Sequence, residues 1–206
     1  DDAVVEGLRT HLGTAVDSVL GLHAWIWDAV AACPLEGRVL AAAHVGRPRA
    51  TDPLLDVWHA VNVLREYRGD THWAVVVAEG LGAADASILH NAWVGYEGDW
   101  IPRSRGLTPA DIDAGWRRLE QRGLASGATV LPAGLALRQR IEDRTNALCT
   151  VMWEAVGVER SDHFAEILEP LCEILLRRVD ETAGTNYQPA SRIHPAGHGT
   201  AREPRR

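Results

Sequence analysis

Residues 107–148, LTPADIDAGWRRLEQRGLASGATVLPAGLALRQRIEDRTNAL, constrain the fold more than any other stretch of this chain. Thr108-Pro109-Ala110-Asp111 opens a helix: a threonine cap, proline where no amide hydrogen is needed, and an acid three residues after the cap. Ile112, Trp116 and Leu119 recur on one face, and Gly123 stops the helix. Leu124 to Leu131, LASGATVL, then fits a short two-stranded ribbon turning at Ser126-Gly127. A long helix follows from Pro132 to Val156, striped by Leu137, Ile141, Leu148 and Met152.

Helix, ribbon, long helix is the winged-helix order, and the run resembles the winged helix of MarR-type proteins. Leu119, Glu120, Gly123 and Leu124 match the L-E-x-x-G-L that ends the recognition helix there. Pro132, Ala133 and Gly134 occupy the T-x-x-G site before the long dimerisation helix, with proline in place of threonine. The resemblance covers residues 84–156. It implies a mainly α fold: a MarR-like winged helix with an N-terminal helical lobe and a small β-wing.

The flanking segments agree with a helical chain. Leu8, Leu12, Val16, Val19, Ile26 and Val30 make residues 3–32 helical, with breaks available at Gly13 or Gly21 and an end at Pro34. Residues 35–46 read as a weaker helix. Asp52 caps a helix that starts at Pro53 and runs to Arg68. A second helix starts near Asp70 and ends at Gly80, and a third covers 82–94 with Ala86, Leu89 and Trp93 on one face. Residues 95–106 read as a loop. Ser161 caps a last helix to Ala183, kinked at Pro170. The resulting division is an N-terminal helical lobe at 1–82, a winged-helix and long-helix region at 83–183, and a disordered tail at 184–206.

Composition narrows the chemistry. All 21 basic residues are arginine, so a lysine Schiff base and a P-loop lysine are excluded within this chain. Cys33, Cys149 and Cys172 lie far apart and read as small buried hydrophobes, not as a metal knuckle. His194 and His198 have a possible ligand spacing but no supporting shell, so no metal and no cofactor is expected. No apolar run reaches membrane-spanning length, and no leader pattern opens the chain, which points to the cytoplasm.

The recognition helix does not suit DNA. Arg117, Arg118 and Arg122 are balanced by Asp111, Asp113 and Glu120, and the acids lead the helix. Carboxylates there suit the helix dipole but repel phosphates. The ribbon tip has no arginine, and the whole chain carries a net charge of −7. No specific DNA is expected as a partner.

Chemistry is more concentrated in WHAVNVLREYRGDTHW, residues 58–73. On a continuous helix, a core stripe of Leu54, Trp58 and Val61 would run into Arg65, Arg68 and His72. Burying unpaired arginines is costly. Either Glu66 and Asp70 pair with them in a structural ion network, Asp70 also capping the next helix, or the group forms an anion pocket. In the pocket, Arg65, Arg68 and His72 grip an oxyanion, a carboxylate moves a proton, and Gly69 lets a ligand approach. Trp58, Trp73, Trp93 and Trp100 surround the stretch in sequence, and His90 shares the Trp93 stripe.

This stretch also resembles a family of MarR-like proteins from antibiotic-producing bacteria, with the pattern W-H-x-x-x-x-L-R-E-H-R-G-D-x-H. Trp58, His59, Leu64, Arg65, Glu66, Arg68, Gly69, Asp70 and His72 match, and Tyr67 replaces a histidine. The match covers most of residues 30–180. Members usually carry a further N-terminal segment, so a second copy or a related chain is expected to complete the fold. A further similarity links the family to the paired small proteins that form the aziridine ring in azinomycin-like pathways. It implies an intramolecular attack of a substrate amine on a neighbouring carbon, with loss of a sulfate-like anion. Asp70 or Glu66 would then take the ammonium proton, with His72 as a further catalytic group. Arg65, Arg68, Trp58, His59, Trp73, His90 and Trp93 would hold a small molecule bearing an anionic group. The alternatives are a ligand-responsive transcriptional regulator using the same pocket as effector site, and a noncatalytic scaffold subunit.

Overall fold

The computed structural model describes residues 1–96 and 98–182. The expected tail from Gly184 and the His194/His198 pair lie outside the described residues. Within them the chain is mainly helical with one small two-stranded antiparallel sheet. No helix is long and apolar enough to cross a membrane, and no group of acids, histidines and cysteines has a metal-binding arrangement among the described residues. The described residues divide into two compact units: residues 1–71 with 145–182, and residues 72–144.

The first unit opens with α1 (Asp2–Leu12), a 3-10 turn (Gly13–Ala15), α2 (Val16–Gly21) and α3 (His23–Ala32). The helical segment expected over 3–32 is thus divided at both glycines, and Gly13 takes a φ of 53° that other residues avoid. After the expected stop at Pro34, α4 is confined to Val39–Val45, and α5 spans Pro53–Ala78. Asp52 caps α5 as its sequence predicts, Oδ1 accepting from the amides of Leu54 and Leu55 at 2.9 and 3.1 Å. Val19, Leu22, Ile26 and Val30 pack with Leu54, Val57, Ala60 and Val63 of α5 and with Leu171. That leucine belongs to α10 (Val158–Thr182), which starts before Ser161. The Ser161 hydroxyl donates back to Gly157 O at 2.8 Å, so it is not the cap expected of it.

Two features of α5 overturn sequence expectations. It does not break between Arg68 and Asp70. Gly69 costs a helix roughly 1 kcal/mol relative to alanine, but Tyr67, Thr71 and Val75 are all buried and hold the turns around it. Its buried face is also not the expected one. Leu54, Val57, Ala60, Val63, Tyr67 and Thr71 form it, stepping by three, three, three, four and four. Trp58 and Val61 are 42% and 40% exposed. Beyond Leu54, Trp58 and Val61 lie one position off the core residues Val57 and Ala60, so Arg65 continues an exposed side of α5 and does not extend a core.

The second unit is built from the end of α5, α6 (Ala83–Trp93), α7 (Trp100–Ser104), α8 (Pro109–Gln121), β1 (Ala125–Ser126), β2 (Thr129–Val130) and the first part of α9 (Pro132–Val156). The short α7 occupies part of what reads as loop; Asn91 Oδ1 accepts from the Ile101 amide at 2.9 Å and fixes it. The capping box of α8 is present, with Thr108 Oγ1 accepting from the Asp111 amide at 3.2 Å. Gly115 lets α8 close on α6: a Cβ there would lie 2.9 Å from Ile88 Cδ1. The strands pair Ser126 with Thr129, so the turn falls on Gly127-Ala128, one residue later than expected. Gly134 accounts for the glycine of the T-x-x-G-like site: a Cβ would meet Leu124 O at 2.5 Å. Ile88, Leu89, Ile112, Leu119, Leu137 and Ile141 form the core. Farther along α9, Leu148 is exposed and Thr145 takes the buried position, because the stripe steps from Ile141 to Thr145 to Cys149.

Candidate functional site

In the first unit, residues 58–71 fall on three surroundings. Trp58, His59 and Asn62 line a groove of about 980 Å³ with Arg47, Arg49 and Asp52. His59 is buried; its Nε2 donates to His44 O at 2.8 Å, because a carbonyl can only accept. Its ring meets Trp27 edge-on, centroids 5.5 Å apart. Beside this contact lies a buried carboxylate, Asp56. Arg49 engages it through Nε and Nη2, His23 Nε2 lies 2.6 Å from Oδ2, and Trp27 Nε1 donates to the same oxygen at 3.0 Å. The Arg49 guanidinium holds the Asp56 carboxyl far below the usual carboxylate range, and also covers the Trp27 ring at 3.6 Å.

The arginines and acids of the LREYRGD run are placed differently. Arg65 is exposed and pairs with its neighbour, Nη1 to Glu66 Oε1 at 2.6 Å. Arg68 Nη2 donates to Asn146 Oδ1 at 2.9 Å. Asp70 Oδ2 accepts from the amides of Leu40 and Ala41 at 2.8 and 3.0 Å. Asp70 therefore caps the free amides at the start of α4 from a distance in sequence, not those of its own helix. Tyr67, which stands where the family pattern has histidine, is fully buried with Arg38 Cζ over its ring at 4.4 Å. Of the cysteines, Cys33 and Cys149 are buried as expected and Cys172 is exposed. Burial pushes the Cys33 thiol up to about 11, which suits packing and not nucleophilic work.

His72, Trp73, His90 and Trp93 belong to the second unit. Trp73 is exposed, whereas Trp93 is buried, its Nε1 donating to Gln139 Oε1 at 3.0 Å. His90 stacks beside Trp93, centroids 5.9 Å apart. Arg138 lies over the Trp93 ring at 4.6 Å, and its Nη2 reaches His90 Nδ1 at 3.2 Å and Glu142 Oε2 at 2.8 Å. A guanidinium only donates, so His90 Nδ1 accepts and its proton sits on Nε2. Burial, then the Arg138 and Arg105 charges, lower the His90 pKa to about 4, so the ring is neutral at neutral pH. Arg105 Nη1 donates to the buried Ser87 hydroxyl at 3.1 Å.

Arg118 and Arg122, at the end of α8, are exposed but bound within the second unit. Arg118 makes a bidentate contact with the buried Asp85, Nε and Nη2 lying 3.0 and 2.8 Å from Oδ1. Arg122 donates to Glu79 O and Gly80 O at 3.0 and 3.1 Å, closing the end of α5. Glu120 accepts from the Gly127 amide at 2.6 Å and holds the ribbon turn.

Sequence reasoning missed Asp56, Asp85 and Arg138. Each left a signal: a charged residue inside an apolar stripe. Asp56 falls between Leu54 and Val57, and Arg138 lies beside Leu137 with Glu142 four residues on, where a helix pairs them.

No curated protein and no solved structure matches the chain. The sequence profile of a helix-turn-helix family matches residues 1–181, and a mainly helical chain with one small two-stranded sheet is consistent with it. The chain belongs to this helix-turn-helix family.

Proposed function

We propose that the chain is a small-molecule enzyme, or a subunit of one, on a MarR-like scaffold that has given up DNA reading. The observation that carries this is the recognition helix: Arg118 and Arg122 are bound to Asp85 and to backbone carbonyls of the same unit. Phosphate contact would have to break these bonds, and Asp111 leads the helix with negative charge. The protein acts in the cytoplasm, with a second copy or a related chain, in antibiotic biosynthesis.

The reaction we propose is aziridine formation. A carboxylate takes a proton from the substrate ammonium, the freed amine lone pair forms the C–N bond, and the C–O bond to a sulfate-like group breaks. Asp70 uses Oδ2 on the α4 amides, and its other oxygen is the base; Glu66 is the second choice, held by Arg65. Arg65 and Arg68 take the departing anion, where negative charge grows in the transition state. The test is sulfate release from a 2-amino sulfate ester, followed with the partner chain co-expressed. Asp70→Asn keeps an oxygen for the amides and should bind substrate while losing turnover; normal turnover removes the proton-transfer role. Arg65→Ala or Arg68→Ala should weaken binding by about 1.5–3 kcal/mol without unfolding the chain.

Family membership favours a second reading, a ligand-responsive regulator. Mobility shift at physiological salt separates the two. A nanomolar, sequence-specific operator complex establishes the regulator; its absence supports the enzyme.

A further inference from the structure

We propose that Arg138, Arg105 and His90 form a binding site for a singly charged oxyanion group, a sulfate ester or a carboxylate, of a small molecule. The site lies wholly within the second unit. It deepens the reading of an anionic small-molecule ligand and rests on it for the ligand's class, while using other residues than the proposed proton-transfer chemistry.

The first observation is an incomplete guanidinium. The Arg138 side chain is 7% exposed, and its Nη1 is buried with no hydrogen-bond partner among the described residues. Leaving such a donor empty in the interior is costly, more so on a charged group. The second observation is a neighbouring donor. His90 Nδ1 fixes Arg138 through Nη2, and Arg105 adds a second guanidinium. The third is charge. Arg138, Arg105 and Glu142 are the charged groups acting on His90, with His72 beside them. Among the described residues these are two guanidiniums and one carboxylate. Burial, and then the Arg138 charge, lower the Arg105 pKa.

An oxyanion answers all three observations. It accepts from Arg138 Nη1 and from Arg105, and it offsets the positive charge that the two guanidiniums bring. Trp93, flat beneath the Arg138 guanidinium, supplies an apolar wall. Arg105 is exposed, so one of the two guanidiniums faces solvent.

The Trp93 indole N–H reports on the site in a nitrogen-labelled full chain, identified by the peak lost in Trp93→Phe. The probes are methyl sulfate and acetate, with chloride as control at matched ionic strength. We expect a saturable shift with methyl sulfate, with acetate or with both, and none with chloride; which probe saturates identifies the group. Arg105→Gln and Arg138→Lys should each raise the midpoint roughly ten- to a hundredfold, with the other indole peaks unmoved. Arg105 is the more exposed, so Arg105→Gln decides the matter if the Arg138 variant does not fold. No saturation in the unaltered protein, equal saturation by chloride, or an unchanged midpoint in Arg105→Gln overturns the site. Failure of the cyclisation reading is distinct: sulfate release would be absent while the methyl sulfate or acetate midpoint stayed sensitive to Arg105.

Discussion

Each unit buries a charged side chain, and the two are treated differently. Asp56 in the first unit is surrounded by donors from Arg49, His23 and Trp27. Arg138 in the second has Glu142 and His90 on Nη2 and, among the described residues, nothing on Nη1. A buried charge whose hydrogen-bonding capacity is filled explains itself as structure. One left partly empty, beside a second cation, asks for a ligand. A groove of about 980 Å³ opens near Asp56, yet the small donor cluster around Arg138 makes the more specific chemical demand.

The strongest way to break this contrast is to remove Asp56. Asp56→Ala should cost about 3 kcal/mol, the lower end for breaking a buried ion pair, because Arg49 can return to solvent. Chemical denaturation measures it, and a loss under 1 kcal/mol would mean that the network is not structural. The double change Arg138→Met with Glu142→Gln should alter stability by less than about 1 kcal/mol, since it removes an underused charge and keeps its volume. A loss as large as that of Asp56→Ala would erase the distinction between the sites.

Acid sharpens the contrast by its window. The folded pKa of Asp56 is depressed, so its stabilisation is present above the ordinary carboxylate value and is lost as pH falls below about 4. The folded pKa of His90 is depressed as well, to about 4. Its neutral form is favoured on folding, and that stability is lost as pH falls from about 6.5 toward 4. Asp56→Ala should flatten the lower limb of a stability–pH curve and His90→Gln the upper one. A curve unchanged in its upper limb by His90→Gln would show that the ring is not held neutral. The smallest effect is expected at Arg117, an exposed arginine of α8: Arg117→Ala should shift stability by under about 0.5 kcal/mol.

The elements set by local chemistry were legible in the chain. Thr108 and Asp111 marked the start of α8, Gly123 its end, and Asp52 with Pro53 the start of α5, because a cap is written within four residues. The core face of α5 was misread because Trp58 and Val61 are apolar and correctly spaced. Their exposure depends on what lies opposite, which spacing along one helix does not contain. Asp70 shows the same limit. Its neighbours suggested a cap for the following helix, and its carboxylate instead meets Leu40 and Ala41, thirty positions upstream. Arg138 and Asp56 were visible as charges within apolar stripes, but their partners His90 and His23 come from distant segments.

The Asp85–Arg118 contact also bears on how this fold can change over generations. Asp85 accepts from the Gly82 amide at the start of α6 while it binds Arg118 of α8. A lineage seeking to free that arginine for phosphate would first lose the acid, and with it a helix cap and a buried partner in one step. Intermediate sequences would be less stable before any of them gained a new ligand. The contact therefore ties the freedom of one arginine to the stability of two helices.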